Sequence, residues 1–248
     1  MAKGTALVTG ASAGIGAATV RALVADGWSV HMTARRADRL DALAAETGAI
    51  PHAIDATDET SMRQLVDATP FDLIVANAGR GGAMTGLTGT PPEQIAEVVQ
   101  LNVTSVLQLI EAVLPGMVAR QRGHIITLGS VSGLYPLGPT LYGATKHAVR
   151  GAMRNLRLET LGQGIRFTDI QPGRVRTEFY DVAIEDDADR ESVKETGIDE
   201  LGPSDVAEAI RWAAAQPAHV NVSAIEITPR DQVYGGARFA NKPQIEDP

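Results

Sequence analysis

Short apolar runs alternate with stretches of helical spacing along nearly the whole chain. Ala6-Leu7-Val8 leads into a helical pattern from Gly14 to Ala25, and Trp28 to Thr33 into another from Ala37 to Glu46. Ala49 to Ile54, Asp72 to Ala76, His124 to Leu128, Ile165 to Ile170 and Ser223 to Ile227 supply five further strand candidates. Longer helical patterns run from about Pro92 to Arg120, punctuated at Pro115-Gly116, and from Tyr142 to Leu161. A last helix is expected after Ser204, with Pro203 just before it and Asp205 in its first turn. Strands alternating with helices predict βαβ units and a parallel sheet covered on both faces. Right-handed crossovers make it doubly wound. No repeat, low-complexity tract or linker divides the pattern, so residues 1–248 are expected to form one α/β domain around seven parallel strands.

Composition narrows the class. At 44% hydrophobic and 21% charged, the 248 residues have the balance of an ordinary globular domain. No apolar run approaches the roughly 18 residues that span a bilayer, so no membrane partner is expected. Met1-Ala2-Lys3-Gly4 passes at once into a strand pattern, leaving no room for a signal peptide. The absence of cysteine excludes disulfides and thiolate metal sites, and the five histidines show no ligand spacing. A cytoplasmic protein without a metal is the expectation. The net charge of −8 argues against nucleic acid as a partner. That charge is concentrated: Glu178 to Glu200 holds ten acidic residues against Arg190 and Lys194, a local −8. It reads as a solvated surface segment or as a charged lid at about 178–200.

Thr9-Gly10-Ala11-Ser12-Ala13-Gly14-Ile15-Gly16 lies between the first strand and the first helix. Glycine allows a sharp turn and a close backbone approach, and the helix N-terminus that follows favours an anion. This is the cradle of a dinucleotide pyrophosphate in a Rossmann fold. At the end of the second strand an Asp or Glu usually bonds the ribose 2′-hydroxyl of NAD, whereas this chain has Ala34-Arg35-Arg36. A guanidinium offers a 2′-phosphate charge-assisted bidentate bonds, so NADP(H) is the expected cofactor, with Arg35 expected foremost on that phosphate and Arg36 beside it. Asp55-Ala56 and Asn77-Ala78-Gly79 close the third and fourth strands, on the side of the sheet where such folds bind ligands.

Tyr142 and Lys146 stand four apart at the start of a helix, so both point to one face. A phenol of pKa near 10 is a poor base at pH 7, and a neighbouring ammonium favours its phenolate by about 1–3 pH units. That moves it toward the range of general acid–base work. Ser130, twelve residues upstream, follows the strand His124 to Leu128 and is placed to donate a hydrogen bond to a substrate oxygen.

With the glycine turn, Ser130 and Tyr142-Gly143-Ala144-Thr145-Lys146 in this order, the chain resembles the short-chain dehydrogenase/reductase family over nearly its whole length. The resemblance implies that Tyr142 is the catalytic acid/base and that Ser130 stabilises the reacting oxygen. It implies that Lys146 grips the nicotinamide ribose and lowers the tyrosine pKa. Asn102 matches the family asparagine that holds a proton-relay water, and Asp55 the residue beside the adenine. Pro172-Gly173-Arg174-Val175-Arg176-Thr177 matches the segment along the nicotinamide, with Thr177 on its amide. A tetramer is implied on the same ground. Two features depart from the family pattern. Ala76-Asn77-Ala78-Gly79 stands for Asn-Asn-Ala-Gly, and the Ser130–Tyr142 interval is one residue shorter than usual.

The nearest branch by resemblance is the NADP-dependent dehydrogenases of serine, allo-threonine and other small 3-hydroxy acids. Leu114-Pro115-Gly116-Met117-Val118, His124-Ile125-Ile126 and Gln216-Pro217-Ala218-His219-Val220-Asn221-Val222 carry it. A sulfoacetaldehyde-type or other carbonyl reductase is the alternative, a non-catalytic NADP sensor and an epimerase or dehydratase the more distant ones. Gly81, Gly82 and Met84, facing Leu134, Tyr135 and Leu137, are expected at the pocket rim. Arg174 and Arg176 flank Val175 and share one side of an extended segment, where they bind an anionic substrate or dock the acidic stretch.

Overall fold

The computed structural model describes residues 3–81, 86–137, 140–179 and 196–233. The strands are β1 (Thr5–Thr9), β2 (Ser29–Thr33), β3 (Ile50–His52), β4 (Leu73–Ala76), β5 (Gly123–Leu128), β6 (Ile165–Pro172) and β7 (Ala224–Ile227). They form one sheet in the order β3-β2-β1-β4-β5-β6-β7, every pair parallel. The chain winds outward from β1 to β3, then returns to lay β4 on the other side of β1. That reversal opens a crevice at the carboxyl ends of β1 and β4.

Two cores cover the two faces. On one, Val8, Met32, Val75 and Ile126 pack with α1 (Gly14–Ala25), α2 (Ala37–Thr47) and Val206 and Ile210 of a C-terminal helix. On the other, Leu7, Ile74, Ile125 and Phe167 pack with α3 (Glu59–Ala68), α5 (Ser105–Ala119) and α6 (Thr140–Glu159). The two sets alternate along each strand, as a sheet buried on both faces requires. The C-terminal helix, α7 (Pro203–Ala214), has Pro203 in its first turn, and Asp205 accepts from the Gly202 N–H at 2.7 Å.

The helices differ from expectation in three places. Helix α3 was not legible from the chain; Asp58 caps it by accepting from Ser61 N at 3.1 Å. Pro115 does not interrupt α5, because Ile110, Val113 and Met117 anchor that helix on the sheet across the lost bond. Helix α4 (Pro92–Val99) joins α5 through one π-helical turn, Gln100–Thr104. The continuous segment Pro92–Ala119 spans 28 residues and is long and apolar enough to cross a membrane. Here its inward stripe of Val98, Val106, Leu109, Ile110, Val113 and Met117 is buried in the domain core. Most of the acidic stretch proposed as a lid lies outside the described residues, as do Gly82 and Met84.

Candidate active site

A cleft of about 1390 Å³ runs along the carboxyl ends of the strands. The glycine turn enters it directly from β1. Gly10 and Gly14 have φ of 65° and 53°, values that disfavour any side chain. A Cβ on Gly16 would come within 2.3 Å of the Gly10 carbonyl oxygen, so only glycine lets α1 start this close to the turn. The N-cap of α1 is Ala13, which supplies no side-chain acceptor to the first N–H groups. Those donors therefore open into the cleft beside Ser12, Gly14 and Ile15. Asn77 braces the turn from β4, with Nδ2 donating to the carbonyls of Thr9 (2.9 Å) and Gly10 (3.1 Å). The buried Thr9 hydroxyl accepts from the N–H groups of Asn77 and Ala78 at 3.1 and 3.0 Å. Thr9 is a structural member of the site that the motif alone did not single out.

Arg35 and Arg36 both line the cleft but differ in engagement. The Arg35 side chain is 77% exposed, its Nε 3.8 Å from Asp55. Arg36 donates to Ser12 Oγ from Nε at 3.1 Å and from Nη2 at 2.9 Å. Its Nη1 donates to Glu178 at 3.1 Å, and Arg39 donates to the same carboxylate at 2.8 and 2.9 Å. The two guanidinium groups hold the Glu178 carboxyl below its usual range, Arg39 foremost. Asp55 Oδ1 accepts from the N–H and hydroxyl of Thr57 at 2.9 and 2.8 Å, and Ala56 lies beside it in the wall.

Ser130, Tyr142 and Lys146 line the opposite end. Ser130 is buried, and its Oγ accepts from Ser132 N at 3.1 Å at the start of a 3₁₀ turn, Val131–Gly133. That turn packs against α6: a Cβ on Gly133 would lie 3.1 Å from the Lys146 carbonyl. Lys146 Nζ lies 5.6 Å from the centre of the Tyr142 ring and donates to the Leu128 carbonyl at 2.5 Å. Burial pushes its pKa down to about 8, opposed by the Asp169 carboxylate. The Phe179 ring stands 5.4 Å from that of Tyr142.

Asn102 is buried in the π turn, where Ser105 N bonds back five residues to the Gln100 carbonyl. Its amide clasps the Arg80 backbone, accepting from N at 2.9 Å and donating to O at 2.8 Å, and donates to Thr145 Oγ1 at 3.2 Å. The side chain thereby fixes the Gly79-Arg80 corner next to the lysine. Pro172, Gly173, Val175 and Thr177 line the cleft after β6.

Arg174 also lines it, but is 7% exposed and donates from Nε to Glu200 at 2.8 Å. Its backbone N–H donates to Gln232 Oε1 at 2.8 Å. Arg176 is exposed and off the cleft wall, its backbone N–H held by the Leu201 carbonyl at 2.9 Å. The two arginines do not act as a pair. Leu134 and Tyr135 also lie off the wall, with the Tyr135 hydroxyl bonded to Glu226 at 3.2 Å, whereas Leu137 lines it. The bond to Glu226 holds the Tyr135 hydroxyl at β7, and Leu134 closes the 3₁₀ turn through its N–H to the Val131 carbonyl at 2.9 Å. Among the described residues no group of three or more His, Asp or Glu side chains is arranged to hold a metal.

The arrangement fits a dinucleotide. One end offers uncapped helix N–H groups and a guanidinium–hydroxyl corner for phosphates, the other a phenol, a hydroxyl and a buried cation for proton transfer. Comparison with known proteins agrees. The chain is 37% identical over 246 residues to serine 3-dehydrogenase of Agrobacterium fabrum, covering 94% of this chain and 96% of that one. It is 37% identical over 240 residues to the NADP-dependent 3-hydroxy acid dehydrogenase YdfG of Escherichia coli K12, covering 93% and 96%. A solved closed form of serine dehydrogenase complexed with NADP+ superimposes with a TM-score of 0.89 at 35% identity, over 96% of this chain and all of that one. Residues 4–188 match the short chain dehydrogenase family, and the chain belongs to it.

Proposed function

We propose that this protein is an NADP-dependent dehydrogenase that moves a hydride between NADP(H) and the alcohol or carbonyl of a small polar substrate, a 3-hydroxy acid foremost. The observation that carries it is the meeting of Ser130, Tyr142 and Lys146 in one cleft with the glycine turn and Arg36. The relatives named for serine and 3-hydroxy acids support the substrate class.

The bound nicotinamide would accept the hydride from the alcohol carbon, or return it to the carbonyl carbon. In the oxidative direction the Tyr142 phenolate takes the hydroxyl proton as the C–H bond breaks. Ser130 donates to the same oxygen and holds it against the phenol. Lys146, seated on the Leu128 carbonyl, presents its charge to Tyr142 and favours phenolate. In reduction the phenol gives its proton back to the oxygen. Asn102 acts through the Gly79-Arg80 corner, and Asn77 through the glycine turn. Arg174, committed to Glu200, docks the end of the acidic stretch, which leaves substrate charge to be recognised elsewhere in the cleft. A cytoplasmic homotetramer is the assembly we infer, by family resemblance.

Purified protein assayed by NADPH absorbance against small hydroxy acids, aldehydes and ketones tests the reading. Turnover is expected with NADP(H) and a 3-hydroxy acid. Tyr142→Phe is expected to keep NADPH binding and lose at least about 10²-fold in kcat, since a positioned acid/base contributes roughly 10²–10⁴. Activity within tenfold of wild type places the proton donor elsewhere. Tight NADPH binding with no turnover on any carbonyl favours a sensor.

A further inference from the structure

Asp169 lies in the middle of β6 and is 3% exposed. It stands opposite Thr127 of β5, and both belong to the alternating set that includes Ile125 and Phe167. That set faces α6, whose buried residues include Lys146 and Val149. The carboxylate thus sits beneath the lysine, inside the domain. Thr127 Oγ1 donates to Oδ1 at 2.9 Å and Gln171 Nε2 donates to Oδ2 at 2.7 Å. A donor on each oxygen favours the ionised carboxylate, an acceptor-only group. Gly129 lets the chain pass directly over it, for a Cβ there would fall 2.6 Å from Oδ1. The residue just before that glycine, Leu128, supplies the carbonyl on which the ammonium rests. Asp169 does not line the cleft, so it touches neither substrate nor cofactor.

A buried lysine whose acceptor among the described residues is a backbone carbonyl faces a large cost for its charge. We propose that Asp169 is a positioning residue: its buried carboxylate keeps the Lys146 ammonium charged and seated on Leu128, and so keeps Tyr142 competent as a base. The proposal rests on the acid–base reading of Tyr142 and Lys146 given above. Other charges face the carboxylate as well. Arg150 of α6 acts on it in the same sense as Lys146. Glu226 of β7 lies on the same sheet face, one residue from the strand partner of Ile170, and is bonded to the Tyr135 hydroxyl. Burial raises the carboxyl pKa of Asp169 above its ordinary value, a rise that the Gln171 and Thr127 donors and the Lys146 and Arg150 cations offset only in part.

Asp169→Asn removes the charge and keeps the shape, with the Gln171 amide able to turn its oxygen toward the new donor. The lysine then loses its opposing charge, becomes neutral at lower pH, and no longer favours phenolate. The acid limb of the kcat/KM profile for alcohol oxidation is expected to move alkaline by about 0.5–1 pH unit or more, since a charge at such range shifts a pKa by about 1–3. Activity lost at pH 7 should return above pH 9, with NADPH affinity at pH 7 within about threefold of wild type. Thr127→Val keeps the charge but removes one donor, so it shifts the limb the same way by less, and decides the matter if Asp169→Asn does not fold. A limb superimposable on wild type in a folded variant, with rates lowered uniformly or unchanged, overturns the proposal. Tyr142→Phe run alongside separates the failures. An active Tyr142→Phe removes the acid–base reading itself, whereas an inactive one beside an unshifted Asp169→Asn removes only the role of Asp169.

Discussion

Arg36→Ala tests the phosphate assignment, and its magnitude depends on the other contacts the arginine makes. Charge-assisted bonds from one guanidinium to a 2′-phosphate contribute about 1.5–3 kcal/mol. Arg36 also bonds Glu178, however, and Arg39 shares that carboxylate. These groups are 43–48% exposed, so each pair is screened and contributes about 0.2–1 kcal/mol. A 2′-phosphate entering the corner formed by Ser12 and Arg36 displaces or shares that contact. The net loss for Arg36→Ala is then about 1–2.5 kcal/mol, or roughly 5- to 70-fold in the Kd of NADPH.

The same reasoning gives a converse that a purely structural arginine would not. Glu178→Gln removes the intramolecular competitor and should tighten NADPH by about 2- to 10-fold, through the one or two exposed pairs released. NADH, which carries no 2′-phosphate, should be nearly indifferent to both substitutions. Fluorescence titration of each cofactor against wild type and the two variants, at low and high salt, measures all the terms. Both NADPH effects should shrink as salt rises, because the corner is open to solvent. Equal losses for NADH and NADPH in Arg36→Ala refute the phosphate assignment. A Glu178→Gln protein that binds NADPH more weakly refutes the competition.

Arg174→Ala breaks a buried ion pair and should cost about 3–5 kcal/mol of stability in denaturant unfolding. Its kcat/KM should fall equally for carboxylated and neutral substrates, and exposed Arg176→Ala should do little; a loss confined to anionic substrates in either variant returns that arginine to substrate binding. Lys146 makes stability depend on pH with a defined sign. Its pKa in the folded protein, about 8, lies below the ordinary 10.5, so between those values the unfolded chain holds more protons and stability rises with pH. The destabilisation is complete below pH 8 and relieved above it. Unfolding of cofactor-free protein should show the advantage of Lys146→Met over wild type shrinking by about 2 kcal/mol from pH 7 to 9.5, at 1.36 kcal/mol per unit; an advantage that stays constant shows that the folded amine keeps its proton across this range, with a pKa no lower than in the unfolded chain.

The strands were legible because both faces of this sheet are buried. Short, dense runs such as Leu73–Ala76 have no competing helical reading, and observed limits fall within a few residues of those read from sequence. Helix α3 escaped because its apolar stripe is thin: only Met62 and Leu65 are buried, amid polar neighbours. The glycine turn and Tyr142–Lys146 were visible because each requires fixed residue types at fixed spacing. What sequence reading missed comes from pairing across the fold. Thr9 meets Asn77 across 68 residues, and Arg39 meets Glu178 across 139. Asp169 did leave a trace, an acid in the middle of an otherwise buried strand. Spacing cannot show that the neighbouring strand carries a threonine at the matching register. Sequence reading favoured Arg35 for the 2′-phosphate; that Arg36 is the side chain bonded to Ser12 depends on a contact across 24 residues that spacing does not show.

The two ends of the cleft use charge under opposite dielectric conditions, and this divides the work between them. At the phosphate end Arg36, Arg39 and Glu178 are half exposed, so their interactions are individually weak, exchange partners readily and respond to salt. Such a corner can trade a carboxylate for a phosphate at small cost. At the chemical end Lys146 and Asp169 are almost fully buried, where charges act strongly at short range and salt cannot follow them. A charge fixed there is ready before the substrate oxygen arrives, with no solvent to reorganise as the proton moves. Its cost falls on folding stability, which is why the lysine is anchored by a strand carbonyl and opposed by a carboxylate instead of being left free. Substitutions at the open end should therefore appear in cofactor affinity, and those at the buried end in the pH dependence of turnover.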